Sequence, residues 1–335
     1  MKKATLIVFF SALAQSFAGP IEELRVVSSL PAFELKKLQE GDIVTNRGPL
    51  GKFSRGIYGE IVYFVHAPMA VTGERRLRWD AAKYPELDVR MLRQYAWPAP
   101  PATWDALNLK WDQADDRRLM GKTLQLGSKV SELNVTETEI AAFRAQAGNT
   151  TERDSSASDF WRKVLRSRSE AVASGGLAAL PSYSAGGVQI NPRSEFESLM
   201  KMAPSITGRF APLIKGRPFT AGSSDGAGEI LPHWGAGLVR GHTNLQLGFR
   251  AARKSADSWQ LANCNYYVSD SYFFSVTLYE MFAMESGTLV WQIDFASVPF
   301  RNLAGGVDKR LVSGQMLRRS TRSARLFRNE IQNSR

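Results

Sequence analysis

Three kinds of side chain in this sequence could do chemistry, and their spacing limits what each can do. The first is Ser224 in Gly222-Ser223-Ser224-Asp225-Gly226, which fits the G-x-S-x-G pattern of a serine nucleophile elbow. An elbow holds its serine on a strained turn between a buried strand and a helix, with a histidine in reach. Gly216-Arg217-Pro218 precedes this motif and Gly228 and Pro232 follow it, so neither flanking element is expected and a glycine-rich loop is. The second kind comprises His66, His233, His242 and the single cysteine, Cys264. No two of them stand at i, i+4 or another short ligand spacing, so no metal site and no cofactor is expected. Cys264 sits in an apolar, strand-like run and reads as a buried small hydrophobe. The third kind is Glu280, in the middle of an apolar alternation of Phe274, Val276, Leu278, Phe282 and Met284. A carboxylate there costs several kcal/mol if buried unpaired. It either orients a ligand in a cavity or is tied to an arginine for structural reasons, and the second reading leads. His242 raises the same question on a face of Leu238, Arg240, His242, Asn244 and Gln246 that is polar after its first residue. The candidate ligand-binding residues are therefore His242, Tyr279, Glu280 and Trp291, and none is assigned a catalytic role.

The elements that must position these residues follow from periodicity. Ile21 to Ile43 reads as one or two helices interrupted at Pro31, and Gly56 to Ala67 as a strand rich in aromatic and β-branched residues. Pro68 opens a helix running to about Asp80. Helical patterns recur around Thr103–Leu109, Thr136–Ala147, Ser158–Ala173 and Ser194–Met202, separated by polar or glycine-rich connectors. From Leu231 the character changes to strand: Leu238–Arg253, Ser258–Val268, Tyr272–Glu285 and Leu289–Val298, joined by turns short enough for an antiparallel meander. Gly305–Glu330 is a long basic helix, with Leu303, Val307, Leu311, Gly314, Leu317, Thr321 and Ala324 stepping by three or four. The expected fold is α+β, an antiparallel β-sheet packed on a long C-terminal helix with a large, mainly helical insertion. The expected organisation is a leader at 1–18 and one domain at 19–335. Within that domain, 19–55 is a helical N-terminal segment, 90–230 the insertion, and 231–331 the meander with its helix.

The N-terminus carries its own signal. Lys2 and Lys3, then an apolar run from Ala4 to Ala14, then Ser16 and Ala18 before Gly19, have the order of a cleaved secretory signal peptide. The run is too short to cross a bilayer, which takes about 20 residues. A bacterial, exported protein of the periplasm or the extracellular space is expected, beginning at Gly19. One cysteine forbids an intramolecular disulfide, so packing must stabilise a chain that is 44% hydrophobic. The net charge of +11 falls to +9 when Lys2 and Lys3 leave with the leader. After export that charge points to an anionic membrane surface or to plain solubility, and away from nucleic acid. Arg318, Arg319 and Arg322 on the C-terminal helix are the candidate membrane- or polyanion-binding residues. They equally suit the solvated face of a packed helix.

Val62-Tyr-Phe-Val-His-Ala-Pro68, followed by a helix, Leu77-Arg-Trp-Asp80 and Tyr84-Pro85-Glu86, resembles the opening of the START/polyketide-cyclase (helix-grip) superfamily. Leu289-Val-Trp-Gln-Ile-Asp294 before a long final helix resembles its end. The similarity covers roughly 30 residues at the start and 90 at the end, counted along the chain, and the stretch from Arg90 to Leu231 departs from it. The resemblance implies a curved sheet around the C-terminal helix with a cavity between them that takes lipids or other apolar molecules. It transfers no catalytic motif. The leading expectation is an exported protein binding an apolar or amphipathic small molecule or lipid between sheet and helix. The alternatives are an exported hydrolase or other enzyme with unassigned carboxylates, and a non-catalytic envelope interaction protein. On this reading the face of Leu289, Trp291, Ile293 and Phe295 should meet the C-terminal helix at Val307, Leu311 and Leu317.

Overall fold

Strict alternation along the second half of the chain builds a sheet with two different faces. The computed structural model describes residues 19–48, 52–128, 130–147, 153–220, 228–299 and 307–333. The leader at 1–18 and the motif at 222–226 lie outside the described residues. The chain begins with helices α1 (Pro20–Val27) and α2 (Leu35–Gln39), strands β1 (Ile43–Arg47) and β2 (Gly56–Val65), helix α3 (Met69–Arg78) and strand β3 (Val89–Gln94). A mainly helical middle region follows: α4 (Ala114–Leu124), α5 (Glu137–Ala147), α6 (Arg153–Gly175), a small hairpin of β4 (Tyr183–Ala185) and β5 (Val188–Ile190), then α7 (Pro192–Met200), α8 (Pro204–Arg209) and α9 (Ala211–Ile214). The meander comprises β6 (Glu229–Val239), β7 (His242–Lys254), β8 (Ser258–Val268), β9 (Phe274–Met284) and β10 (Gly287–Ser297), and helix α10 (Val307–Asn333) closes the chain.

Eight strands form one antiparallel sheet in the order β1-β2-β10-β9-β8-β7-β6-β3. Strand β2 is buried at all ten positions because both sides of it are covered. On one side Val62 and Phe64 join Leu289, Trp291, Ile293, Phe249 and Leu247 in the larger core, shared with Trp161, Leu165 and Phe210 of the helical insertion and Leu24 and Leu38 of the N-terminal helices. On the other side Ile61, Tyr63 and Val65 meet Leu77 of α3 and Leu317, Ala324, Phe327 and Ile331 of α10. The fold is thus α+β, with an antiparallel sheet packed against a long C-terminal helix.

Several elements differ from expectation. The run Leu238–Arg253 is not one strand: it breaks at Arg240 and Gly241, both at positive φ (54° and 74°), which form the two-residue turn between β6 and β7. The region 90–230 holds strands as well as helices, and Thr103–Leu109 is a single 3-10 turn at Pro101–Trp104 rather than a helix. The expected packing of Trp291 on the C-terminal helix is also overturned. Trp291, Leu289, Ile293 and Phe295 point into the insertion core, and Leu311 is 61% exposed. Positions of the other parity, Val290, Gln292 and Asp294, face the helix side.

The segment after β2 grips the far end of α10. Leu77 is fully buried against it, Trp79 meets Phe327 edge-on at 5.7 Å, and Trp79 Nε1 donates to Glu330 at 2.7 Å. The Tyr84 hydroxyl donates to the same carboxylate, and Asp80 caps the 3-10 turn at Ala81–Lys83. Leu-x-x-Asp and Tyr-Pro are therefore helix-anchoring elements in this chain. At the other contact, a Cβ on Gly59 of β2 would lie 2.7 Å from Leu317, so glycine permits the close approach of α10.

Candidate ligand-binding cleft

Where α10 crosses β2 it packs tightly, but over β10, β9, β8 and β7 it stands away from the sheet and leaves a cleft of about 1790 Å³. Strand register sets its floor as three parallel rungs. The central rung runs Asp294, Thr277, Asn263 and Arg250 across four neighbouring strands. On one side lie Ala296, Ser275, Asn265, Gly248 and His233, and on the other Gln292, Tyr279 and Leu261. The roof is formed by α10, with Leu311 at the mouth, Val312 and Met316 in its first turns, and Ser320 and Ser323 further along. Arg76 and Trp79 close one end. Asn263, Asn265, Ser275 and Thr277 stay partly exposed although their strands are central, while Ala262, Cys264, Val276 and Leu278 behind them are fully buried. Alternation thus sends the apolar half of these strands to the core and the polar half to the cleft.

The polar groups are held in defined orientations. Thr277 Oγ1 donates to Asp294 Oδ1 at 2.7 Å and Gln292 Nε2 to Oδ2 at 2.9 Å. Burial raises the Asp294 carboxyl above its ordinary value, and hydrogen bonds from Thr277, Ser320 and Gln292 work against that rise. His233 Nε2 lies 3.3 Å from Asn265 Oδ1, an atom that only accepts, so this nitrogen carries the proton. Asn265 Nδ2 in turn donates to Ser275 Oγ at 3.2 Å. Burial, reinforced by the Arg250 charge, pushes the His233 imidazole down to about 3. A Cβ on Gly248 would stand 2.5 Å from both His233 Nε2 and the Cys264 carbonyl, so the ring occupies space that only glycine leaves. Arg250 Nη1 donates to the Leu77 carbonyl at 2.8 Å, and burial followed by repulsion from Arg76 lowers its guanidinium to about 10. Arg76 is caged by the rings of Trp79, Tyr279 and Phe327, each within 5 Å of its guanidinium carbon, and donates to the Tyr279 hydroxyl.

Two of the four expected ligand-binding residues line this cleft: Tyr279 on the floor and His242 at the start of β7. Glu280 and Trp291 do not. Side chains alternate along a strand, so Glu280 and Trp291 share a rung on the opposite face. There Glu280 is ion-paired with Arg209 and accepts from Gln260 Nε2 at 3.3 Å, the structural arginine pairing that led the sequence reading. Trp291 Nε1 donates to Glu60 Oε2 at 3.0 Å. Arg318, Arg319 and Arg322 stand exposed along the cleft, and two of them hold its side wall. Arg319 donates to the Leu87 carbonyl and Arg322 Nη1 to that of Glu86 at 2.9 Å. The residues missed from sequence are Asn263, Asn265, Ser275, Thr277, Gln292, Asp294 and Arg250. Their signal was available: on three successive strands the positions alternating with the apolar face are polar.

A floor offering carboxyl, hydroxyl, amide and guanidinium groups at strand spacing, about 4.8 Å apart, matches a molecule with several hydrogen-bonding groups. The imidazole of His233 is bonded to an amide rather than to a hydroxyl nucleophile. Among the described residues, no three His, Cys, Asp or Glu side chains are placed to hold a metal ion, and no helix is long and apolar enough to cross a membrane. No family model, curated protein or solved structure matches this chain.

Proposed function

We propose that this protein binds an amphipathic small molecule in the cleft between sheet and α10, in the manner of the helix-grip superfamily it resembles. The observation that carries the reading is the polar floor of Asn263, Asn265, Ser275 and Thr277 on central strands beneath the apolar turn of Leu311, Val312 and Met316. A sheet face meant only for packing would be apolar there, as the opposite face is. The ligand's hydrogen-bonding part lies on the floor and its apolar part under the helix. Family membership is supported by Ala67-Pro68 closing β2 and by Leu77 to Tyr84 anchoring the final helix. N-Phenyl-1-naphthylamine, a neutral amphipathic fluorophore, tests the reading. Saturable enhancement by the wild type should weaken about tenfold or more in Ser275→Trp, which fills the floor. Leu311→Trp, at an exposed position on the cleft mouth, should act likewise without touching the core. No saturable enhancement, or equal affinity in all three proteins, removes the proposal.

We propose also that the protein works outside the cytoplasm, on the strength of Lys2, Lys3, the apolar run and Ala18. Exported material should begin at Gly19 on N-terminal sequencing, and a soluble cytoplasmic product retaining residues 1–18 would overturn this.

A further inference from the structure

Among the described residues three arginines are buried: Arg76, Arg168 and Arg250. Arg168 pairs with Glu139 at 2.7 Å, and the more exposed Arg90 and Arg209 also meet carboxylates, Asp116 at 2.7 Å and Glu23 with Glu280. The two in the cleft have no such partner. Arg76 and Arg250 are each only 6% exposed, they repel one another, and neither forms an ion pair among the described residues. Arg76 is compensated by three aromatic rings and a tyrosine hydroxyl, yet its buried Nη1 has no hydrogen-bond partner. Arg250 uses Nη1 on the Leu77 carbonyl, and its other donors open on the cleft. Asp294, the one acid of the central rung, bonds Thr277 and Gln292 and acts on Arg76 only through space, as Asp80 does on Arg250. Burying a cation without an ion pair is costly, and Arg168, the third buried arginine, has one.

We infer that the polar end of the ligand is a carboxylate, which docks on Arg250 with the Arg76 charge behind it. This rests on the cleft-binding reading and narrows it. The planar guanidinium offers two parallel donors to a planar carboxylate. Asp294, three strands away on the same rung, opposes a second negative charge and so disfavours a phosphate dianion. The hydroxyls and amides of Thr277 and Asn263 then meet whatever polar groups adjoin the carboxylate.

Displacement of N-phenyl-1-naphthylamine by decanoate, decanol and decyl phosphate at pH 8 decides the matter. The wild type should prefer decanoate over decanol by about tenfold or more, the usual effect of a charged hydrogen bond, and should prefer it over decyl phosphate. Arg250→Gln should bring decanoate and decanol to within about twofold of each other, and Arg250→Lys should restore part of the difference. Asn263→Asp places a carboxylate opposite Arg250 in a near-isosteric side chain, and should weaken decanoate about tenfold more than decanol. Equal binding of decanoate and decanol by wild type, or a preference that survives Arg250→Gln and Asn263→Asp, overturns the carboxylate while leaving the cleft reading standing. Tighter binding of decyl phosphate overturns the ligand class. Failure of every probe, the fluorophore included, removes the cleft reading and this inference with it.

Discussion

His233 and Asp294 stand on neighbouring rungs of one floor, and burial moves their protons in opposite directions. An unfolded histidine takes up a proton near pH 6.5, whereas His233 in the folded protein resists until about pH 3. Below pH 6.5 the unfolded chain therefore binds the extra proton. Folding stability should fall on acidification by about 1.4 kcal/mol per pH unit until the folded value is reached. Asp294 works the other way. Its folded value lies above the ordinary 3.8, so the folded state disfavours its charge. That contribution to stability is present at low pH, is lost as pH rises from the ordinary value through the raised one, and stays lost at neutrality. Urea unfolding from pH 3 to 8 checks both signs. His233→Gln should flatten the acid limb, and Asp294→Asn should be more stable than wild type at pH 7 with no such gain at pH 3. An unchanged acid limb in His233→Gln, or an Asp294→Asn loss independent of pH, would contradict the burial argument. A carboxyl kept at a cost to stability on the cleft floor is better explained by binding than by packing.

The elements legible in the sequence were those whose alternation or helical period had only one interpretation. Ser258–Val268 was legible to the residue, and β9, β10, α3 and α10 to within a few residues, because long apolar alternations and a long basic helical period leave little choice. The β6–β7 turn escaped because arginine stands at a positive φ where asparagine or glycine is usual. Strands β1, β3, β4 and β5 have three to six residues each, too short for a period, and gain their conformation from pairing. Helix α4 reads as a polar stretch, and its buried Asp116 is held by the Lys110 backbone N–H and by Arg90 and Thr243, which arrive from other elements. In α10 the stepping pattern was right but its inward side was misplaced. Leu311 is six residues before Leu317, about 600° of rotation, and so stands about 120° away from it. Ser313, Leu317, Ser320, Ala324 and Phe327 form the buried side. The candidate site was legible only in part for the same reason. Glu280 stands out on the apolar face of β9, whereas the cleft is lined by Ser275, Thr277 and Tyr279 on the other face.

At the scale of the whole molecule, the sheet divides the labour between its faces. The face toward the insertion is closed: Trp291 is fully buried among Phe210 and its neighbours and bonded to Glu60. The face toward α10 is packed where the helix crosses β2 and open beyond it, so Leu311 hangs over the cleft. The long insertion explains how a central sheet can devote one face to polar groups. The apolar burial a chain of this size needs is supplied on the other side, leaving the helix side free of that duty. Trp291→Ala and Leu311→Ala separate the two roles. Trp291→Ala should cost about 3–5 kcal/mol, from lost transfer energy and the void left behind, while the protein that remains folded binds N-phenyl-1-naphthylamine within about twofold of wild type. Leu311→Ala should change stability by no more than about 0.5 kcal/mol, as exposed positions do, yet weaken the fluorophore, because it removes apolar contact under the helix. Chemical denaturation and a fluorescence titration on the same preparations give both readouts. A large stability loss in Leu311→Ala, or a binding loss in Trp291→Ala that exceeds its own, would place the core under α10 and the cleft elsewhere.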